Sequence, residues 1–415
     1  MLPLRRNRNF LLLQSGQVLS TIGSESCALA YPLLVLAVTH SPAQAGIVGF
    51  SRVLPWALFG LVAGLVVDRV PRKRLMIVCD TGRMLAAASI VVALALGSLT
   101  FPQIALVAFV EGTLFVFFNI AEIGAMRSVV PTQQLPAAYA GEQVRYSAVS
   151  IAAPPVGGAL YGLGRSVPFA GNALAVVFSV ASLLGIRSRF EEEREADDAP
   201  VREQLAEGLR WLWARPFIRN CALLFMWNNP VFAAFTLVVV VVGRRQGLTS
   251  TELGLLLAGL GVASMLGSFA APALGRLLSM RTIVLGSMWL QVPLALFLLW
   301  PSVYVLLAAN VPVMLFMPTV NAAVIGYRVA LVPDRLTGRV NSVARSLALC
   351  AMPLGPLAAG FLLASFSARA TVGAMAAFSV VLAAIATANR AIRNAPSLSE
   401  IDELSSAPAS PAAAG

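Results

Sequence analysis

The chain has 415 residues, 58% of them hydrophobic and 12% charged, with a mean hydropathy of +0.81. A soluble chain carries roughly 25% charged residues, so this composition excludes a soluble globular protein and defines an integral membrane protein. The net charge of +11 does not mark a nucleic-acid binder. The basic residues sit in short stretches beside apolar runs, and the basic–aromatic interleaving used for base stacking is missing.

A bilayer-crossing helix needs about 20 apolar residues. The first half of the chain yields spans near 10–38, 44–67, 75–98, 102–124, 137–161 and 166–187. The charged stretch 188–219 follows, then spans near 220–242, 250–275, 281–300, 302–326, 340–363 and 369–390. Residues 1–187 are expected to form one six-helix bundle and 220–393 a second, with a cytoplasmic linker at 188–219 and a disordered cytoplasmic tail at 394–415. Arg5, Arg6 and Arg8 precede the first apolar run, but no small-residue cleavage site separates it from the next span. With the N-terminus inside, 22 of the 30 Lys and Arg residues fall in inner loops and tails and four in outer loops. That asymmetry predicts cytoplasmic termini.

Span 1 carries a polar stripe of Gln14, Gln17, Thr21 and Ser24, with Glu25 at its edge. Span 2 carries Arg52 and span 4 carries Glu111 at comparable depth. Ionisable groups inside a membrane face the bundle interior or a water-filled cavity. Burial disfavours the charged form of a carboxyl and a nearby Arg favours it, so Glu25, Glu111 and Arg52 are the candidates for proton coupling. The alternative is that Arg52 is neutralised by Glu25 or Glu111 and only holds helices together.

Between spans 2 and 3 runs Gly64-x3-Asp68-Arg69-x2-Arg72-Lys73, with Pro71 turning the loop. Asp80 and Arg83 follow inside span 3, three residues apart and therefore on one helix face. This pattern resembles the loop of the major facilitator superfamily of secondary transporters. The added Asp80-x2-Arg83 and the segment Thr39 to Ala43 resemble its macrolide-efflux and enterobactin-exporter branch. The usual Gly before the two basic residues is here Pro71. The resemblance implies an all-α fold of twelve membrane helices in two bundles about a central cavity. It implies alternating access and antiport of protons against an amphiphilic small molecule, an antibiotic or siderophore, by a monomer in the bacterial inner membrane. It also implies a cytoplasmic gate in which Asp68 meets the inner end of span 11. Arg69 and Arg72 are expected to reach Glu122 there, with Asp80 and Arg83 extending the network.

Span 5 opens with Glu142, Arg145 and Tyr146 and reaches Ala153-Pro154-Pro155-Val156-Gly157-Gly158. The segment resembles the Gly-Pro-rich motif of drug–proton antiporters, with Ala153 in place of the leading Gly. The prolines predict a kink and the glycines close packing. An offset of 202 takes Val130-Pro131 to Val332-Pro333, Pro154 to Pro356 and Gly158 to Gly360, which predicts a parallel repeat of the two halves. In the linker, Leu205, Leu209 and Leu212 share a helical face, with Trp211 and Trp213 alongside. Such a helix fits the inner membrane surface and a soluble linker equally.

In the second half, Trp227-Asn228-Asn229-Pro230 is expected to interrupt span 7. Asn310 lies in span 10, and Asn341 and Arg345 share a face of span 11. With Gln17, Thr21, Phe115 and Arg145, residues Trp227, Asn228, Asn310 and Arg345 are the candidates for lining a substrate cavity. The same residue types also glue helices together. Cys27, Cys79, Cys221 and Cys350 are scattered and His40 is the single histidine, so no metal site, disulfide framework or cofactor is expected. GxSxG, Walker and HExxH motifs do not occur, which argues against an enzyme. The readings left open are an importer or lipid flippase on the same fold, and a non-transporting sensor or scaffold.

Overall fold

The structure is a computed structural model and describes residues 7–186, 190, 201–333 and 336–394. The expected disordered tail and the charged start of the linker lie outside the described residues. Everything described is helix or short connection, because a chain crossing lipid must satisfy its backbone groups within each segment.

The helices are α1 (Arg8–Thr39), α2 (Pro42–Arg69), α3 (Arg72–Ala95), α4 (Phe101–Val129), α5 (Leu135–Leu163), α6 (Val167–Gly185), α7 (Val201–Trp213), α8 (Pro216–Arg245), α9 (Ser250–Leu277), α10 (Met280–Trp289), α11 (Val303–Leu331), α12 (Thr337–Leu349), α13 (Leu354–Ser365), α14 (Ala368–Ala388) and α15 (Arg390–Arg393). Among the described residues ten segments are long and apolar enough to cross a membrane. Two of the ten are α10 continued by the 3-10 turn Val292–Leu298, and α12 continued by α13. Helices α2 and α5, 28 and 29 residues long, complete twelve membrane-length segments. Side-chain caps fix several starts. Asn7, Ser41 and Ser367 each accept a backbone N–H of the first turn, and Thr249 with Glu252 forms a full capping box.

One proline prediction is reversed. Helix α8 runs unbroken through Pro230. The break comes instead in the eleventh span, where Cys350–Pro353 leaves the helix and separates α12 from α13. Pro353 supplies no N–H and disfavours helical backbone at Met352, and the segment is held by short turns such as Leu354 N–H to Ala351 O. At α5 the helix also continues through Pro154 and Pro155.

Helices α1 to α6 pack mainly on one another, as do α8 to α14. The main contacts across are α5 with α9 and α2 with α13. They are closest at the end of the molecule that carries His40. A Cβ on Gly46 would stand 2.8 Å from the Gly360 Cα, so only glycine permits this crossing. At the same end one apolar core joins both groups of helices, with Leu34 and Val48 from the first and Val239, Leu253 and Leu363 from the second. At the opposite end, which carries Pro71, the core splits. Met76, Phe118 and Leu183 belong to a cluster of the first group, and Ile283, Val320 and Val340 to a cluster of the second. The helices therefore close at the His40 end and part at the Pro71 end.

The linker helix α7 lies on protein. Leu212 is fully buried, Trp211 nearly so, and the backbone of α12 crosses close at Gly208. Glu207 and Arg339 form an ion pair across the contact. The apolar face predicted from Leu205 and Leu212 is thus covered by the second bundle, leaving Leu209 and Trp213 exposed.

Candidate functional site

Between the two groups of helices lies a cavity of about 260 Å³. Glu25 and Leu29 of α1, Ser150 of α5, Phe232 of α8, and Asn310 and Met314 of α11 form much of its wall. The lining is apolar with few polar groups, as in small-molecule sites generally. Glu25 is its charged residue. Among the described residues Glu25 has no hydrogen-bond or ion-pair partner.

Behind this wall a chain of buried polar groups crosses the first bundle. Arg83 pairs with Asp80 at 2.8 Å, and Ser179 of α6 donates to the other Asp80 oxygen at 2.7 Å. Arg83 also donates to Ser24, and Ser24 contacts Asn172 Oδ1 at 3.5 Å. Asn172 in turn donates to Glu111 Oε1 at 3.3 Å, and Tyr31 donates to Glu111 Oε2 at 2.6 Å. A buried charge survives only when paired and hydrogen-bonded, and this chain meets that requirement across α1, α3, α4 and α6. The i,i+3 pairing expected of Asp80 and Arg83 is present. The chain's other members, Tyr31, Asn172 and Ser179, carry no local sequence signal.

Arg52 pairs with neither candidate carboxyl. It donates to the Ser24 carbonyl at 2.9 Å and lies over the Tyr31 ring, so the alternative in which Glu25 or Glu111 pairs directly with Arg52 does not describe this arrangement. The backbone acceptor on α1 is the partner within reach, while both Glu111 oxygens are already taken.

The gate cluster is also rearranged. Glu122 receives Arg145 at 2.9 Å, and the same nitrogen reaches Glu142 at 3.5 Å. Arg69 is exposed, and Arg72 lies against α4 and donates to the Gly124 carbonyl. Neither meets Glu122, whose carboxylate is taken by Arg145 of α5 while Arg72 is drawn to the α4 backbone. Lys73 donates to the Ile186 carbonyl at 2.6 Å, where a cation suits the end of α6. Gly64 lies on α2 near the same end. The Asp68 side chain lies outside the described residues.

Of the cavity candidates, only Asn310 lines the central cavity with Glu25. Gln17 is buried in the first bundle and Thr21 accepts from Arg145 at 3.5 Å. Phe115 packs on Trp56 and under Arg83. Arg345 reaches across from α12 to the Trp56 ring at 5.3 Å. Trp227 lines a separate apolar cleft of about 290 Å³ between α8, α13 and α14, and Asn228 accepts from Gln291 at 2.7 Å. The α5 motif is an interbundle contact. Gly157 lies against Ser26 of α1, and Gly158 against Ser250 of α9.

Paired helical bundles around a cavity with one unpartnered carboxyl define a polytopic membrane transporter rather than an enzyme. The Major Facilitator Superfamily model matches residues 15–288, and the chain belongs to that family. It is 26% identical over 388 residues to the multidrug efflux pump Tap of Mycolicibacterium fortuitum, covering 91% of this chain and 94% of the relative. It is 28% identical over 415 residues to the multidrug efflux pump Tap of Mycobacterium tuberculosis, covering 96% of each. The crystal structure of a variant of the nucleoside transporter NupG superposes with a TM-score of 0.79 at 12% identity, covering 92% of this chain and all of the other, which speaks to the fold alone.

Proposed function

We propose that this chain is a proton-coupled exporter of amphiphilic small molecules, an antiporter working by alternating access. The similarity to multidrug efflux pumps along nearly the whole chain supports the direction and substrate class. The distribution of basic residues supports both termini in the cytoplasm, and the bacterial relatives support a place in the inner membrane. On that orientation the Pro71 end faces the cytoplasm and the structure is open inward. Residues 1–187 and 220–393 then act as the two rocking bodies, with 188–219 as a cytoplasmic linker and 394–415 as a tail.

One observation carries the coupling assignment: Glu25 faces the cavity with no partner, whereas both Glu111 oxygens are occupied. A proton or a substrate group can reach Glu25 at no cost in broken bonds. Protonating Glu111 would disturb a hydrogen bond that it already accepts. Glu25 is therefore the proton carrier, and Glu111 a structural group. The test is Glu25→Gln in proteoliposomes with ethidium as probe. The variant is expected to keep ethidium exchange without a gradient and to lose accumulation driven by an imposed pH gradient. Undiminished accumulation in Glu25→Gln would remove the assignment.

A further inference from the structure

Proton coupling through Glu25 leaves a second acidic group in the first bundle unexplained. Glu122 of α4 and Glu142 of α5 converge on a single nitrogen of Arg145, at 2.9 and 3.5 Å. The site is built into protein. The Glu122 side chain is 6% exposed, Arg145 12% and Glu142 24%. Arg145 also donates to Thr21 of α1, one helical turn before Glu25.

Charge counting at this site is uneven. Two carboxylates share one guanidinium, which leaves one negative charge uncompensated when both are ionised. Among the described residues, no cation other than Arg145 lies within ion-pair distance of either carboxylate. On α3, Arg83 is committed to Asp80 and Arg72 to the Gly124 carbonyl. On α2, Arg52 is held by the Ser24 carbonyl and Arg69 is exposed. α1 presents the neutral Thr21, which accepts from Arg145, with Gln17 one helical turn before it. The Gln17 Nε2 and Arg145 Nε atoms are buried donors with no acceptor, so the surroundings carry polar capacity beyond the ion pair itself. Gln17 is only 2% exposed. Buried polar groups are ordinarily satisfied, and such exceptions call for a functional role or a bound water.

We propose that Glu122 and Glu142, bridged by Arg145, form a second proton-binding site of the transport cycle, distinct from Glu25. The inference rests on the proton-coupled reading above. In the arrangement seen here, Arg145 holds both carboxylates and the site has given its proton to water at the open end. When the bundles rock and that end closes, the pair takes up one proton. One carboxylate becomes a carboxylic acid and Arg145 remains paired one-to-one with the other. Two protons then move per substrate, one on Glu25 and one on this pair.

Infrared difference spectra of the purified full-length protein, recorded on pH titration, count the carboxyls that gain a proton. Wild type is expected to show one carboxyl at Glu25 and one at the pair, above a background common to all variants. Glu122→Gln and Glu142→Gln should each lose the same one, because either leaves a balanced one-to-one pair with Arg145. Arg145→Gln should instead gain one, since both carboxyls then protonate. In proteoliposomes at a one-unit pH gradient, the ethidium accumulation limit should fall about tenfold in either Glu→Gln variant, the factor carried by one proton per pH unit. A purely structural ion pair would leave the proton count unchanged. An unchanged count in either Glu122→Gln or Glu142→Gln overturns the second site. Should one variant fail to fold, the other still decides the matter. Retained pH-driven accumulation in Glu25→Gln would instead overturn the coupling reading, whatever the pair does.

Discussion

Tyr31 donates a 2.6 Å hydrogen bond to Glu111 across the contact between α1 and α4, and the Tyr31 ring also lies beneath Arg52. One side chain thus ties together the two membrane-embedded charges that reading the chain had set against each other. Removing its hydroxyl leaves one oxygen of a buried carboxylate short of a donor. Tyr31→Phe should lower stability by about 1–3 kcal/mol, the usual cost of stranding a buried polar atom. Thermal unfolding of the detergent-purified protein checks this. Glu111→Gln should also destabilise, because its amide nitrogen would face a donor from either Tyr31 or Asn172. Both variants should retain pH-driven export, in contrast to Glu25→Gln.

The Asp80–Arg83 pair is buried, with side chains only 0% and 3% exposed, and reaches α6 through Ser179. Breaking one partner of such a pair typically costs about 3–5 kcal/mol, more than the pair contributes over an apolar replacement. Asp80→Asn or Arg83→Gln alone should therefore be poorly folded. The double variant should recover part of the loss. A double-mutant cycle on thermal stability measures the coupling, and additive losses would show that the two residues act independently.

The orientation can be read chemically. His40 is exposed at the turn between α1 and α2, and Ala214 is exposed just after α7. In a cysteine-free background, His40→Cys should react with an impermeant thiol reagent added to intact cells. Ala214→Cys should react only after the membrane is opened. Labelling of Ala214→Cys from outside would invert the assignment of the Pro71 end to the cytoplasm.

Much of this architecture was legible because its causes are local. Apolar length gives the spans, and i,i+3 spacing gives the Asp80–Arg83 pair. The partners of Glu111 were not legible. Tyr31 sits in an apolar stretch and Asn172 is an isolated amide in another, joined to Glu111 only by the packing of α1 and α6 on α4. The Glu122 partner was missed for a related reason. The loop resemblance pointed to Arg69 and Arg72, but Arg145 on the neighbouring α5 holds Glu122 while Arg72 bonds the α4 backbone, a choice set by side-chain packing that no local spacing records. Pro230 and Pro353 carry the same lesson. Proline weakens a helix at both places, but the close backing of Gly355 on the Pro230 carbonyl supports a continuous α8. The chain around Met352 and Pro353 turns through short hydrogen bonds instead.

The tight crossing of α2 and α13 gives a test of the rocking motion itself. At Gly46 an added Cβ would lie 2.5 Å from the Pro356 carbonyl oxygen and 2.8 Å from the Gly360 Cα. Backbone stands on both sides, so no side chain can swing away to make room. Overpacking at such a contact costs about 1–3 kcal/mol. Here the cost falls only on the conformation closed at the His40 end, because the contact separates when that end opens. Gly46→Val should therefore shift the equilibrium toward the outward-open form by about 5- to 150-fold, the range those energies span. Ala28 lines the central cavity and can report the change. With Ala28→Cys as the sole cysteine, labelling from outside intact cells should be slow in the parent and markedly faster when Gly46→Val is added. Export should fall in parallel, since the cycle must return through the closed form. Equal labelling rates with and without Gly46→Val would mean that the Gly46–Gly360 contact does not move, and the His40 end would then not be a gate.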